Sequence, residues 1–270
     1  MKEQIKQIIS ETPDKLQARS WVREYLQARI LLFLQENGIF RSWIFHGGTA
    51  LRFLFMIPRY SEDLEFALET TDIPPDFAAV ISNIHKSFEA EAYRMEAKIK
   101  EDKTVKSAFI RFPGLLHELG LSPHQTEILA IKIEVDCNPP AEGITETTII
   151  RRFVVLNILH YDKASMLSGK LNAILARSYT KGRDLYDLFW YLSDPEWSAP
   201  NIRFLNAGLR QSQWDGPEIT EANWRLVIAE KIERIDWQKV IQDVSPFIER
   251  TPEIEMLTKE NVLKLLKVQG

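Results

Sequence analysis

The chain has 270 residues, 45% of them apolar, enough for a sizeable core in one large domain or two modest ones. A net charge of −4 and a pI near 5.8 argue against a protein coated by non-specific nucleic acid, and the single cysteine, Cys137, excludes an internal disulfide and a cysteine-based zinc site. Met1 opens a polar, helix-prone segment and no apolar run approaches bilayer-spanning length, so the expectation is a soluble, cytoplasmic protein with no membrane partner.

Taken in order, residues 2–10 and 14–37 are predicted helices with a boundary at Pro13. In the second, Leu16, Val22, Leu26, Ile30 and Leu34 recur at helical spacing before Gly38 stops it. Residues 43–45 read as a short buried strand, Gly47 and Gly48 as a tight turn, residues 49–56 as one or two helical turns, and residues 62–66 as a second strand. Side chains two apart on a strand share a face, so Asp63 and Glu65 project together while Leu64 and Phe66 turn into the core. Two hard oxygen donors on one face are a candidate metal pair. The glycines let the backbone approach a ligand, and the N–H groups opening the next helix favour an anion such as a phosphate. Thr49 and Ser61 can offer hydroxyls and Arg59 a bidentate guanidinium to phosphate oxygens. The plain alternatives are a helix cap, a turn residue and a surface ion-pair partner.

Residues 76–90 are the next predicted helix, entered through Pro74 and Pro75, with Phe77, Val80, Ile81, Ile84 and Phe88 on its packing face. Strands are expected at 93–100 and 105–112, then a loop over 113–127. Residues 129–136 alternate cleanly, with Ile131, Ile133 and Val135 on one face and Lys132, Glu134 and Asp136 on the other. A last strand is read over 147–156. Helical patterns follow from 162 to 177 and 183 to 192; Pro195 and Pro200 then mark the softest boundary, giving units 1–193 and 194–270, the latter mainly helical. Residues 150–183 carry seven basic side chains against Asp162 alone, a charge bias that suits a phosphate-bearing substrate or a solvated helix face. The five histidines lack metal-ligand spacing, and His46 is read as structural. The Gly-Gly-Thr turn lacks the lysine of a Walker loop, and no nucleophile elbow is present.

The stretches GGTALR and RYSEDLEF, at 47–52 and 59–66, resemble the signature of AbiEii-type toxins in the DNA polymerase β-like nucleotidyltransferase superfamily. A second stretch, LSGKLNAILARSYTKGRDLYDL at 167–188, is similar to a later region of the same family. The resemblance implies an α/β fold with a small mixed sheet flanked by helices and a mainly helical C-terminal region. It implies Mg²⁺-dependent transfer, with Mn²⁺ as an alternative metal, of a nucleotide from an NTP to RNA, tRNA 3′ ends included, or to a protein hydroxyl. The family's setting is a toxin–antitoxin, abortive-infection system with a cognate antitoxin. Carried over by residue, Asp63 and Glu65 are the catalytic and metal-binding pair, with Glu65 standing where Asp is more usual. A third metal carboxylate comes from the 129–136 strand, Asp136 or Glu134. Gly47, Gly48, Thr49, Arg59 and Ser61 fall on the nucleotide-binding signature, Lys170 on a phosphate contact and Asp184 on a functional acid, with Asp187 as an internal hydrogen-bond acceptor. The rival expectation is a non-catalytic module of the same fold that holds a nucleotide, nucleic acid or partner protein.

Overall fold

The computed structural model describes residues 2–12, 14–69 and 75–267; Pro13 and Pro74, expected as breaks, lie outside them. The chain separates into two compact units, one of Met1–Leu54, Tyr60–Asn138 and Thr147–His160, the other of Phe55–Arg59, Pro139–Glu146 and Tyr161–Gly270.

The first unit holds α1 (Lys2–Ser10) and α2 (Lys15–Glu36), where the Asp14 carboxylate caps α2 by accepting the Leu16 N–H at 2.7 Å. Val22, Leu26, Ile30 and Leu34 are buried as expected, whereas Leu16 is 59% exposed and stands outside the stripe. The chain then runs through β1 (Trp43–His46), α3 (Gly47–Phe55), β2 (Leu64–Leu68), α4 (Phe77–Ala90), β3 (Glu96–Lys100), β4 (Val105–Pro113), the short α5 (Leu115–Glu118), β5 (Ile128–Asp136), β6 (Thr145–Arg152) and β7 (Val154–Tyr161). The strands form one mixed sheet in the order β3-β4-β5-β2-β1-β7-β6. Pairing is antiparallel for β3–β4, β4–β5 and β1–β2, and parallel for β2–β5 and β1–β7.

The α/β expectation is met, and alternation explains the sheet. Leu64 and Phe66 of β2, Ala108, Ile110 and Phe112 of β4, and Leu129, Ile131, Ile133 and Val135 of β5 are all buried. Each large apolar side chain so buried stabilises by roughly 1.5–3 kcal/mol. At the centre Trp43, Phe45 and Phe66 pack at ring separations of 5.3–5.4 Å, and Phe77 of α4 closes on Trp43 at 5.9 Å.

Local details differ from the sequence reading. The single strand expected over 147–156 is two strands broken at Phe153, which adopts φ +59°. No glycine, proline or asparagine announces that break; the Phe153 ring sits edge-on to Trp21 and Tyr25 at 5.8 and 5.7 Å, and this packing holds the unfavourable backbone. Strand β3 starts at Glu96 instead of residue 93, because Tyr93 turns its ring onto Phe88 and Phe112. The segment read as a loop contains α5, which begins after Gly114 at φ +73°.

Two guanidiniums meet one carboxylate inside this unit: Glu24, 3% exposed, accepts from Arg52 Nε at 3.0 Å and from Arg152 Nε. The Arg152 guanidinium also lies 5.6 Å over the Trp21 ring. The second unit is built mainly from helices, α6 (Lys163–Ala176), α7 (Gly182–Ser193), α8 (Ile202–Gln211), α9 (Trp224–Glu233), α10 (Trp237–Val244), α11 (Thr251–Met256) and α12 (Lys259–Lys267).

Candidate active site

In the first unit the site starts from a turn and a register. Gly47, at φ +78°, carries β1 directly into α3, and β2 lies antiparallel to β1 with His46 opposite Glu65 and Phe45 opposite Phe66. A Cβ at Gly47 would strike the Glu65 carboxylate, with Cδ 2.7 Å away. The absent side chain thus makes room for Glu65 against the opening of α3, where the helix dipole favours negative charge. Thr49 does not cap the helix with its hydroxyl; Oγ1 donates to the backbone carbonyl of Asp63. Gln27 of α2, 1% exposed, donates through Nε2 to the carbonyls of Ser61 at 3.1 Å and Glu62 at 3.0 Å. The segment leading into β2 is therefore pinned from two helices. Gln27 gave no sequence signal, since its partners are backbone atoms far along the chain.

Strand β5 runs parallel to β2 with Glu134 beside Glu65 and Asp136 beside Ala67. Paired residues on neighbouring strands face the same way, so Glu134 stands abreast of the acidic pair and Asp136 one step beyond. The Asp136 carboxylate accepts the Asn138 N–H at 2.9 Å, and Glu134 pairs with Lys132 at 2.6 Å. Asp63 has its carboxyl pushed up to about 6, first by burial and then by the charges of Glu65, Glu62 and Glu134, with Lys132 opposing. Near neutral pH its ionised form carries a cost that a bound cation would offset. Among the described residues no three His, Cys, Asp or Glu side chains converge as a metal cage. Mg²⁺ is held by one or two carboxylates plus waters and substrate phosphates, and Asp63 with Glu65 fits that mode.

The second unit gathers the other signature residues. Arg59 is 1% exposed and bidentate to Asp187, with Nε–Oδ1 and Nη2–Oδ2 both at 2.6 Å. The ion pair open to Arg59 is formed, but in the interior. Burial pulls the Arg59 pKa down and Asp187 more than restores it; burial pushes Asp187 up, and Arg59, then Lys170, hold it below the usual carboxylate range. Lys170 Nζ of α6 reaches Asp187 at 2.8 Å and Asp184 at 3.1 Å, and Arg177 donates to Asp184. The two acids stand on adjacent turns of α7. Gly182, which opens α7, gives its N–H to Asp243 at 2.7 Å and leaves space for the Val240 carbonyl.

The basic run at 150–183 is thus not one patch. Arg152 is buried on Glu24, Lys170 and Arg177 face the α7 carboxylates, Lys163 lies 4.7 Å over the Trp197 ring and Arg183 4.2 Å over Phe247.

Residues 29–259 match the family model described as nucleotidyl transferase AbiEii toxin, type IV TA system. Among solved structures the chain is similar to JHP933 from Helicobacter pylori, with 16% identity, 92% of this chain and 90% of that chain covered, and a TM-score of 0.53; this is a likeness of fold. It also aligns with a candidate nucleotidyltransferase from H. pylori at 15% identity, 93% and 97% coverage and a TM-score of 0.48. A search of the curated proteins gives no match.

Proposed function

The chain belongs to the AbiEii nucleotidyl transferase toxin family of type IV toxin–antitoxin systems, and from that premise we propose that it transfers a nucleotide from an NTP, with Mg²⁺ or Mn²⁺, to a hydroxyl of RNA, such as a tRNA 3′ end, or of a protein. The observation that carries this reading is the placement of Glu65 against Gly47 beside Asp63, whose carboxyl is raised first by burial and then by the neighbouring carboxylates, a cost that a bound cation would offset. Asp63 and Glu65 would hold the metal, with Glu134 the carboxylate next to them on the sheet and Asp136 farther along. When bound, the metal neutralises the triphosphate and the charge that develops as the acceptor oxygen bonds to the α-phosphorus and pyrophosphate leaves. Gly47, Gly48 and the start of α3 would approach the phosphates, with Thr49 and the Gln27-held Ser61 segment fixing the geometry around Asp63. Within the second unit Asp184 and Asp187 hold the Lys170 ammonium and Arg59 pairs with Asp187; the family resemblance is what suggests a phosphate contact for Lys170. An antitoxin is the expected regulatory partner.

Asp63→Ala should abolish labelled-nucleotide transfer while the protein melts with the wild type, because Leu64 and Phe66 still fill the core. A variant that melts normally and keeps most of its activity would put the site elsewhere. A second reading draws on the same Glu65–Gly47 contact: Glu65 braces the turn of a non-catalytic module that binds a nucleotide. It expects no transfer from any variant with either metal, and NTP affinity indifferent to the charge at Glu65.

A further inference from the structure

The sheet face that bears the acidic pair continues outward over β5, β4 and β3. Register defines it: Phe109 of β4 pairs with Lys132 of β5 and with Lys98 of β3, and Lys132 precedes Ile133, which pairs with Leu64. One cross-strand row therefore reads Lys98, Phe109, Lys132, and Asp63 comes one residue before the β2 pairing that would continue it. Flanking rows bring Arg111 opposite Glu96, and Lys100 opposite Ser107, which in turn pairs with Glu134. The alternate residues of β4 and β5 are buried on the other side of the sheet, so this face is the one these strands can offer to a ligand.

Its chemistry is specific. Phe109 is half-buried, with the Arg111 guanidinium 5.9 Å and the Lys132 ammonium 5.7 Å from its ring centre. Lys98 and Lys100 are exposed on the edge strand, and neither they nor Arg111 has a carboxylate partner among the described residues, in a chain whose net charge is −4. An aromatic ring flanked by Arg111 and the Glu134-paired Lys132, with Lys98 and Lys100 exposed on the neighbouring strand, is an arrangement that can stack bases and neutralise a sugar–phosphate backbone. Strands lie about 4.8 Å apart, so the Phe109 strand is two spacings, about 10 Å, from the strand that Asp63 leads into.

Resting on the transferase reading above, we infer that the β3–β4–β5 face is the track for a single-stranded nucleic-acid acceptor, with Phe109 stacking a base near its reacting end and Lys98, Lys100 and Arg111 contacting phosphates.

The test is fluorescence anisotropy on the full chain, without NTP or metal, using a labelled single-stranded RNA with a free 3′ hydroxyl and heparin as a polyanion without bases. Phe109→Leu should weaken RNA binding about tenfold and leave heparin binding unchanged. Lys98→Ala, on the exposed edge strand, should weaken both and reduce the salt slope by about 0.7. RNA affinity within about twofold of wild type for a folded Phe109→Leu protein, or transfer to protein with no RNA binding, would overturn the track and leave the transferase reading intact. If Phe109→Leu fails to fold, Lys98→Ala decides alone, an unchanged salt slope counting against the track. RNA binding through these residues with no transfer by the metal-loaded wild type would instead fault the transferase reading.

Discussion

At Gly47 two effects coincide: the backbone stands at φ +78°, and a side chain would collide with the Glu65 carboxylate. The first costs an L-residue about 1–2 kcal/mol; the second adds the displacement of Glu65. Gly47→Ala should therefore lower stability in urea by more than the backbone term alone, and the excess should vanish in a Glu65→Ala background. Equal costs in both backgrounds would show that the collision is relieved without consequence. Strand alternation predicted that Asp63 and Glu65 share a face, because the period is local; β2 begins at Leu64 instead of residue 62, so Asp63 stands just before the strand, with Glu65 among the charges that act on its carboxyl. That Glu65 rests on Gly47 was not legible, since it depends on the β1–β2 register between residues far apart in the turn. The same holds for Arg59, whose partner Asp187 lies 128 positions away.

Among the elements, helices and strands with a clear period were legible and their breaks less so. Strand β5 shows the alternation expected of it, while the separation of β6 from β7 depends on Phe153 packing against α2, a tertiary contact overriding local preference. The basic residues near β6 and α6 illustrate the same limit. Their number was visible, but each one's partner was not, and Arg152 is an interior charge shared with α2 and α3 through Glu24. Removing one member of such a buried cluster leaves the others uncompensated, which costs about 3–5 kcal/mol. Glu24→Gln should show a loss of that order in urea denaturation, whereas Glu3→Gln, breaking the exposed pair with Lys6, should leave the urea midpoint nearly unchanged. A loss of less than about 1 kcal/mol at Glu24 would mean that the aromatic rings around Arg152 suffice to hold it.

For the molecule as a whole, the signature residues fall into two groups, each organised inside its own compact unit: the Gly-Gly-Thr turn with Asp63 and Glu65 on the sheet, and Lys170 with Asp184, Asp187 and Arg59 among the helices. Family and fold were legible because two short signatures recur in order along the chain, and the family match over residues 29–259 spans both. The β3–β4–β5 face was not legible, because its cations and its ring come from separate strands and converge only through register. On the proposed function Asp63 and Glu65 act by charge on a divalent metal, and labelled-nucleotide transfer by wild type, Glu65→Asp and Glu65→Gln, each with Mg²⁺ and with Mn²⁺, checks this directly. Activity should be preserved or raised in the Asp variant, which places a carboxylate where the ion demands strict geometry, and mostly lost in the Gln variant with either metal; full activity in Glu65→Gln would rule out a role for the charge.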